Sequence, residues 1–219
     1  MVKVPVKLVS WDEIVEWTYR LSRIISDNGW RPNVIVPVAR GGYVPARLLA
    51  DFLDVNNMLS VQSQHWTEAA KAEERAILKY PFKVDLNGEN VLVVDDIVDT
   101  GETLKLARNY VSENWNPGEV KTASLQWISS VAKFEPDYYY LEVKDWAWFQ
   151  YPWTRLEDLK DFIKRTLRED ERLKTGFALE TLEEIFVEWY GIKPKEFGFY
   201  WSEAIRELVK TGYLKKGTP

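Results

Sequence analysis

The chain lacks cysteine and has few other residues that bind soft metals. Its 219 residues include no cysteine, one histidine and two methionines. Disulfide bonds and zinc sites built from thiolates are therefore excluded, and any bound metal must be held chiefly by oxygen ligands. The absence of cysteine is also consistent with a reducing compartment, so we expect a cytoplasmic protein.

The sequence also lacks long apolar runs and an excess of positive charge. No run approaches the roughly 20 apolar residues of a membrane span, and no signal peptide is visible, so we expect no membrane partner. The net charge is −5 with acids and bases interleaved. This argues against a broad nucleic-acid surface, although a local patch could still bind phosphate. The expected partner is a small anion.

The most informative segment is the stretch 91–104, which reads VLVVDDIVDTGETL. Four apolar, mostly β-branched residues predict a buried parallel strand, and the residues from 102 to 114 favour a helix. At such a strand-to-helix turn, peptide N–H groups can converge on a phosphate, and Gly101 lets the backbone approach closely. The carboxylates of Asp95 and Asp96 suit ribose hydroxyls, directly or through a metal. A simpler reading is a turn whose Asp and Thr residues only cap the helix.

This segment resembles the phosphoribosyl pyrophosphate (PRPP) motif of type I phosphoribosyltransferases, in particular purine enzymes of archaeal type. The resemblance implies Mg²⁺ as cofactor, contacted indirectly by Asp95 and Asp96 through ribose or water. It implies Asp99 as the catalytic acid or base near the purine. The residues expected to bind ribose and phosphate are Asp95, Asp96, Asp99, Thr100, Gly101, Glu102 and Thr103.

A second segment, 34–47, reads VIVPVARGGYVPAR and resembles the pyrophosphate loop of the same family. The resemblance implies pyrophosphate binding by Ala39, Arg40, Gly41 and Gly42, with a cis peptide bond between Ala39 and Arg40. Taken alone, an Arg-Gly-Gly turn could be an ordinary helix cap. The family also carries a flexible catalytic lid, which we expect at residues 63–82, where the sequence turns polar.

The only histidine, His65, lies at the base of this expected lid. We assign it to the pyrophosphate-binding residues, because family members often place polar or basic residues there. A solvated loop histidine is the alternative.

Alternating strand and helix patterns predict the fold class, an α/β protein with a mainly parallel sheet flanked by helices, as in the type I phosphoribosyltransferase fold. We expect a core with its purine-binding hood at residues 1–154. Residues 155–219 show three amphipathic patterns and predict a C-terminal helical subdomain of three helices. Structural support is the expected role of these helices, although their ending vaguely resembles winged-helix DNA-binding domains.

The segment 137–153 resembles the hood of 6-oxopurine phosphoribosyltransferases through its ending WFQYPW. The resemblance implies that Trp148 stacks on the nucleobase and that Phe149 presents its backbone to the base edge. These enzymes carry a lysine, donating to the 6-oxygen, after a strand that matches VKTASLQWI here, and Ile128 takes that position. We therefore expect adenine to be favoured. An alignment slip that gives the role to Lys133 is the alternative.

The sequence thus predicts a purine phosphoribosyltransferase that makes a nucleoside 5′-monophosphate and pyrophosphate from PRPP and a purine base. Adenine is the expected base, and hypoxanthine, guanine or xanthine are the alternative. A second alternative is a PRPP-sensing transcriptional regulator on the same fold, because fold and ligand loop alone do not prove turnover. A homodimer is expected because type I relatives commonly form one.

Overall fold

A computed structural model describes residues 2–67 and 74–214 of the chain. The chain divides into two compact units, one spanning Trp11–Trp146 and the other combining Met1–Ser10 with Ala147–Pro219. We call them the core unit and the C-terminal unit. The domain boundary expected after residue 154 stays a prediction, and the contacts group the first ten residues and residues 147–154 with the C-terminal helices.

The described residues form six α-helices and nine strands. In chain order these are β1 (Val6–Leu8), α1 (Trp11–Asp27), β2 (Val34–Ala39), α2 (Tyr43–Phe52), β3 (Asn57–Met58), β4 (Val61–Thr67), β5 (Glu74–Lys79), β6 (Asn90–Val98), α3 (Glu102–Asn114), β7 (Glu119–Ile128), β8 (Tyr138–Val143), β9 (Trp148–Gln150), α4 (Arg155–Glu169), α5 (Leu179–Tyr190) and α6 (Phe199–Lys210). None of the helices in the described ranges is long and apolar enough to cross a membrane.

The core unit is built on one sheet, with strands in the order β5-β4-β2-β6-β7-β8 and β3 paired beside β2. Every pairing is parallel except that of β4 with β5. All six residues of β2 are buried, as continuous apolar strands are when helices cover both sheet faces. Helix α3 covers one face through Leu104, Ala107 and Val111. The predicted α/β class with a mainly parallel sheet is confirmed.

The region predicted to be a lid contains an antiparallel hairpin. Strands β4 and β5 pair from Gln62 opposite Lys79 to Thr67 opposite Glu74. Residues 68–73 of the expected lid lie outside the described residues, as does the side chain of His65. The second strand of this pair was not expected, because the sequence turns polar between residues 63 and 83 and β5 begins with the charged pair Glu74 and Arg75.

The C-terminal unit contains helices at the three predicted positions, together with the parallel pair β1 and β9. Its core is rich in aromatic side chains, with the rings of Phe162 and Tyr190 stacked at 4.4 Å. The buried carboxylate of Asp170 accepts hydrogen bonds from the Arg172 guanidinium and from the Trp189 indole. Val6 and Leu8 of β1 also pack against this core, so the start of the chain is part of the unit.

Candidate functional site

Two loops meet at one edge of the core sheet. Strands β2 and β6 run side by side in parallel, with Val34 opposite Val91 and Pro37 opposite Val94. Strand β2 ends at Ala39, and β6 carries Asp95 and Asp96 just beyond the paired stretch. The carboxyl ends of adjacent parallel strands lie at the same sheet edge, where open α/β sheets bind ligands. The structure therefore brings together the two loops that the sequence identified.

The glycine pair at residues 41 and 42 allows the first loop to lie directly against the second. A Cβ atom on Gly41 would stand 2.5 Å from both carboxylate oxygens of Asp96. A Cβ atom on Gly42 would overlap the carbonyl oxygen of Val94 in β6. The peptide bond between Ala39 and Arg40 is cis, as predicted. Only glycine is compatible with this close approach of the two loops.

The acid pair that follows the motif strand is buried. Asp95 and Asp96 are 9% and 7% exposed. The Asp95 carboxylate accepts a hydrogen bond from the Asp96 amide at 3.0 Å, and Asp96 accepts one from the Ile97 amide at 2.9 Å. Burial and, after it, the neighbouring Asp96 carboxylate raise the pKa of Asp95 well above its usual range. Hydroxyl donors or a cation placed against the pair would therefore favour the ionised form of Asp95.

Magnesium prefers hard oxygen ligands, and these two carboxylates meet that requirement. Within residues 2–67 and 74–214 there is no cluster of three or more side chains suited to hold a metal ion. The two carboxylates could serve an ion that takes its other ligands from a phosphorylated substrate and from water, and the indirect role of Asp95 and Asp96 stays a prediction.

The loop from Asp99 to Thr103 is a strand-to-helix turn. Gly101 adopts a left-handed conformation with φ of +86° and caps the amino end of α3. Thr100 lies exposed on this turn, and its hydroxyl accepts a hydrogen bond from the Glu102 amide at 3.4 Å. Asp99 is exposed along part of its side chain, and partial burial raises its pKa. A carboxylate with a raised pKa is suited to proton transfer.

A segment after β7 supports this turn, and no sequence pattern predicts that contact. The amide of Lys133 donates to the Thr100 carbonyl at 2.9 Å. A Cβ atom on Gly101 would stand 2.6 Å from the Cβ of Phe134. Lys133 itself is exposed. The structure therefore places Lys133, considered only as an alternative for base binding, directly beside the expected PRPP loop.

The residues predicted to bind the base fall in both units. Ile128 ends β7 in the core unit and is 1% exposed, so its side chain is enclosed. Trp148 and Phe149 belong to β9 of the C-terminal unit. The ring of Trp148 lies edge-to-face on Phe162 at 5.5 Å, and its side chain is 40% exposed. The roles of these residues in base binding stay predictions.

A parallel sheet that carries a buried acid pair, a strand-to-helix phosphate loop and a facing glycine pair defines the type I phosphoribosyltransferase class. Comparison with known proteins agrees with this class. The family described as phosphoribosyl transferase domain matches residues 10–157. The chain belongs to this family.

Named relatives act on purines. A xanthine-guanine phosphoribosyltransferase of Cereibacter sphaeroides is 32% identical over 155 residues, covering 66% of this chain and 84% of that protein. A purine phosphoribosyltransferase of Pyrococcus horikoshii has a similar solved structure, with a TM-score of 0.59 and 27% identity over 68% of this chain and 94% of that one. A xanthine-guanine-hypoxanthine phosphoribosyltransferase of Helicobacter pylori shares the fold, with a TM-score of 0.57 and 21% identity over 71% of this chain and 99% of that one.

Proposed function

We propose that the protein transfers the phosphoribosyl group of PRPP to a purine base, forming a nucleoside 5′-monophosphate and pyrophosphate. The observation that carries the proposal is the contact between the two loops, with Gly41 against the carboxylate of Asp96. In the reaction, the bond from C1 of the ribose to pyrophosphate breaks, a bond to a purine nitrogen forms, and the base gives up a proton.

Each loop binds a different part of PRPP. The buried carboxylates of Asp95 and Asp96 accept hydrogen bonds from the ribose hydroxyls. The turn from Asp99 to Thr103 binds the 5′-phosphate at the amino end of α3, where N–H groups and the helix dipole favour an anion. The loop 39–42 faces the leaving pyrophosphate. Asp95 and Asp96 would hold Mg²⁺ through ribose or water, and the ion would supply positive charge next to the pyrophosphate. Asp99 takes or shares the proton of the purine five-membered ring.

The choice of base has two candidates. The names of the relatives from Cereibacter sphaeroides and Helicobacter pylori favour the 6-oxopurines guanine, xanthine and hypoxanthine. The donor to the 6-oxygen would then be Lys133, because it is exposed and lies beside the PRPP loop. Adenine is the second candidate, and Ile128 favours it: without an ammonium at that position, no donor opposes the 6-amino group. The Phe149 carbonyl could accept from that amino group.

Replacing Lys133 with methionine separates these candidates. With a 6-oxopurine enzyme, the change is expected to raise the KM for guanine roughly tenfold, since one charge-assisted hydrogen bond is lost. The KM for PRPP should stay within about twofold. Lys144→Met is the matched control, because Lys144 is also exposed and lies 3.8 Å from the carboxylate of Glu142, a surface pair of little energy. An unchanged guanine KM would remove Lys133 from base binding. Ile128→Lys is a poorer test, because it would bury an ammonium.

The activity itself is tested by incubating the protein with PRPP, Mg²⁺ and each of adenine, guanine, hypoxanthine and xanthine. Nucleotide and pyrophosphate are measured together. Product from the oxopurines supports the first candidate, and adenosine monophosphate alone supports the second. If PRPP binds but no base yields product, a PRPP-sensing regulator takes the place of the enzyme. The cytoplasmic location also stays a prediction.

A homodimer is the assembly we propose, with helix α1 at its interface. Three exposed apolar side chains follow one another at four-residue spacing along α1: Trp11, Val15 and Tyr19. The ring of Phe52, also exposed, lies 5.6 Å from the ring of Tyr19. Exposed apolar patches of this kind mark interaction surfaces. We call these four residues the α1 stripe.

Charge favours a second copy of the chain on the α1 stripe. Of the charged residues of α1, Asp12 in the first turn and Arg23 in the second half lie beside the stripe, and Arg23 also pairs with Asp27 at 3.0 Å. Two copies of α1 that pack antiparallel about a two-fold axis would place Asp12 of one protomer near Arg23 of the partner subunit. Such self-complementarity is what a symmetric dimer interface requires.

Val15→Glu is therefore expected to convert a dimer into a monomer, as measured by light scattering during gel filtration. The reason is that a carboxylate would be buried at the centre of the stripe. Ile24→Glu is the matched control: Ile24 is also exposed on α1, but nine residues away it points to the opposite side of the helix. A dimer that survives Val15→Glu, or dissociates equally with Ile24→Glu, contradicts this interface.

A further inference from the structure

The indole of Trp148 is held at its N–H edge by a carboxylate of the same unit. Asp158, in the first turn of α4, accepts a hydrogen bond from the Trp148 side chain, whose only donor is the indole N–H. The hydroxyl of Thr154 donates to the same carboxylate at 2.7 Å. Asp158 therefore links β9 to the start of α4.

A second contact holds the same ring one helical turn further on. Phe162 follows Asp158 by four residues on α4, so both side chains lie on one face of the helix. Its ring meets that of Trp148 at a centroid distance of 5.5 Å and an interplanar angle of 72°. Two successive turns of α4 thus fix the indole, one by a hydrogen bond and one by an aromatic contact.

The fixed ring nevertheless stays open to solvent over 40% of its side chain. A tryptophan needed only for packing gains most when it is fully enclosed, as Trp115 and Trp189 are in this chain. A ring that is held in place but left open is instead suited to stack on a planar ligand, because little conformational entropy is lost when the ligand binds.

We propose that Asp158 is a positioning residue for the purine base: through its hydrogen bond to the indole, it sets the plane of the Trp148 ring on which the base stacks. The proposal rests on the proposed function and names a residue that acts through Trp148 and does not itself touch the base.

The surroundings of Asp158 support a role beyond starting the helix. Burial raises its pKa, and the neighbouring carboxylates of Glu157 and Asp161 raise it further, while the hydrogen bonds from Thr154 and Trp148 lower it. A carboxylate that only complements the dipole of α4 could do so in full contact with water. Asp158 is instead drawn against Trp148, at an electrostatic cost that the two hydrogen bonds offset only in part, since the pKa of Asp158 stays raised.

The test compares substitutions of Asp158 with a substitution of Thr154, its other hydrogen-bond donor. Asp158→Ala is expected to raise the KM for the purine base roughly tenfold, the effect of losing one hydrogen bond to a carboxylate. The KM for PRPP and kcat should stay within about twofold, a split that general damage to the fold would not give. Asp158→Asn keeps an acceptor for the indole and should restore most of the base affinity.

Thr154→Ala is the matched control, because it removes the other hydrogen bond to Asp158 and leaves the one to Trp148. It should leave the base KM close to that of the wild type. Trp148→Phe sets the upper limit of the effect. If Asp158→Ala does not fold, as judged by circular dichroism, Asp158→Glu replaces it, since one added methylene displaces the carboxylate from the indole.

A wild-type base KM in Asp158→Ala would overturn the proposal, and so would an equal rise in Thr154→Ala. Failure of the proposed function looks different, because the wild type itself would then form no nucleotide. In that case the binding of adenine and guanine is followed by quenching of tryptophan fluorescence. Loss of quenching in both Trp148→Phe and Asp158→Ala supports the positioning role, whereas quenching that persists in Asp158→Ala overturns it.

Discussion

Gly42→Ala is expected to abolish phosphoribosyl transfer, with a loss of at least roughly a hundredfold in kcat/KM. The backbone of Gly42 is in an ordinary right-handed helical conformation, with φ of −65° and ψ of −12°, so alanine brings no dihedral strain. The loss comes from contact, because the new methyl group would overlap the carbonyl oxygen of Val94 in β6 and force the two loops apart. Steady-state kinetics with PRPP and the preferred base measure the effect.

Gly118→Ala provides the control for general loss of stability. Gly118 also has no positive φ, and a Cβ atom there would stand 2.9 Å from the carbonyl oxygen of Gly88, away from the site. It should lower the melting temperature while leaving kcat/KM per folded molecule close to wild type. If Gly42→Ala behaves in the same way, the contact between the loops has no part in catalysis.

Asp99→Asn is expected to lower kcat by roughly a hundredfold or more, the usual contribution of a general acid or base. The dissociation constant for PRPP should change little, because the phosphate is bound mainly by backbone N–H groups and hydroxyls of the same turn. Asparagine has nearly the same shape as aspartate but cannot accept the purine proton. Kinetics and equilibrium binding of PRPP together separate the two effects.

The pH profile gives an independent measure of the same role. Partial burial raises the pKa of Asp99 above the ordinary value of 3.8. The ionised form is the base, so the rate of the wild type should rise with pH as this group loses its proton. In Asp99→Asn that acid limb should disappear. An acid limb that is retained, or a kcat close to wild type, would assign the proton transfer to another group.

The sequence predicted those parts of the core whose residues lie together in one short segment of the chain. The loop after β2, the acid pair of β6 and the turn into α3 are each contained in one short segment, where an apolar run meets glycine, acid and threonine. The structure places these loops side by side because the strands that carry them are neighbours in the sheet. The chemical roles of the individual residues stay predictions.

The sequence did not predict features that depend on distant partners. Strand β5 reads ERAILK, and its charged residues predict a loop. It forms a strand because it pairs with β4. The support of Gly101 by Lys133 and Phe134 joins segments more than 30 residues apart and has no periodic signature. The three residues of β1 are too few for any pattern, and their partner β9 follows far along the chain.

The pairing of β1 with β9 has a consequence for how the protein forms during synthesis. The first residues of the chain leave the ribosome early, but their partners do not: the Arg155 guanidinium, for example, donates to the Val9 carbonyl across a separation of 146 residues. The C-terminal unit therefore cannot fold until α4, α5 and α6 have been translated, whereas Trp11–Trp146 forms a continuous stretch that can fold earlier. Until β9 has been translated, the residues of β1 lack their strand partner and stay accessible to chaperones and proteases.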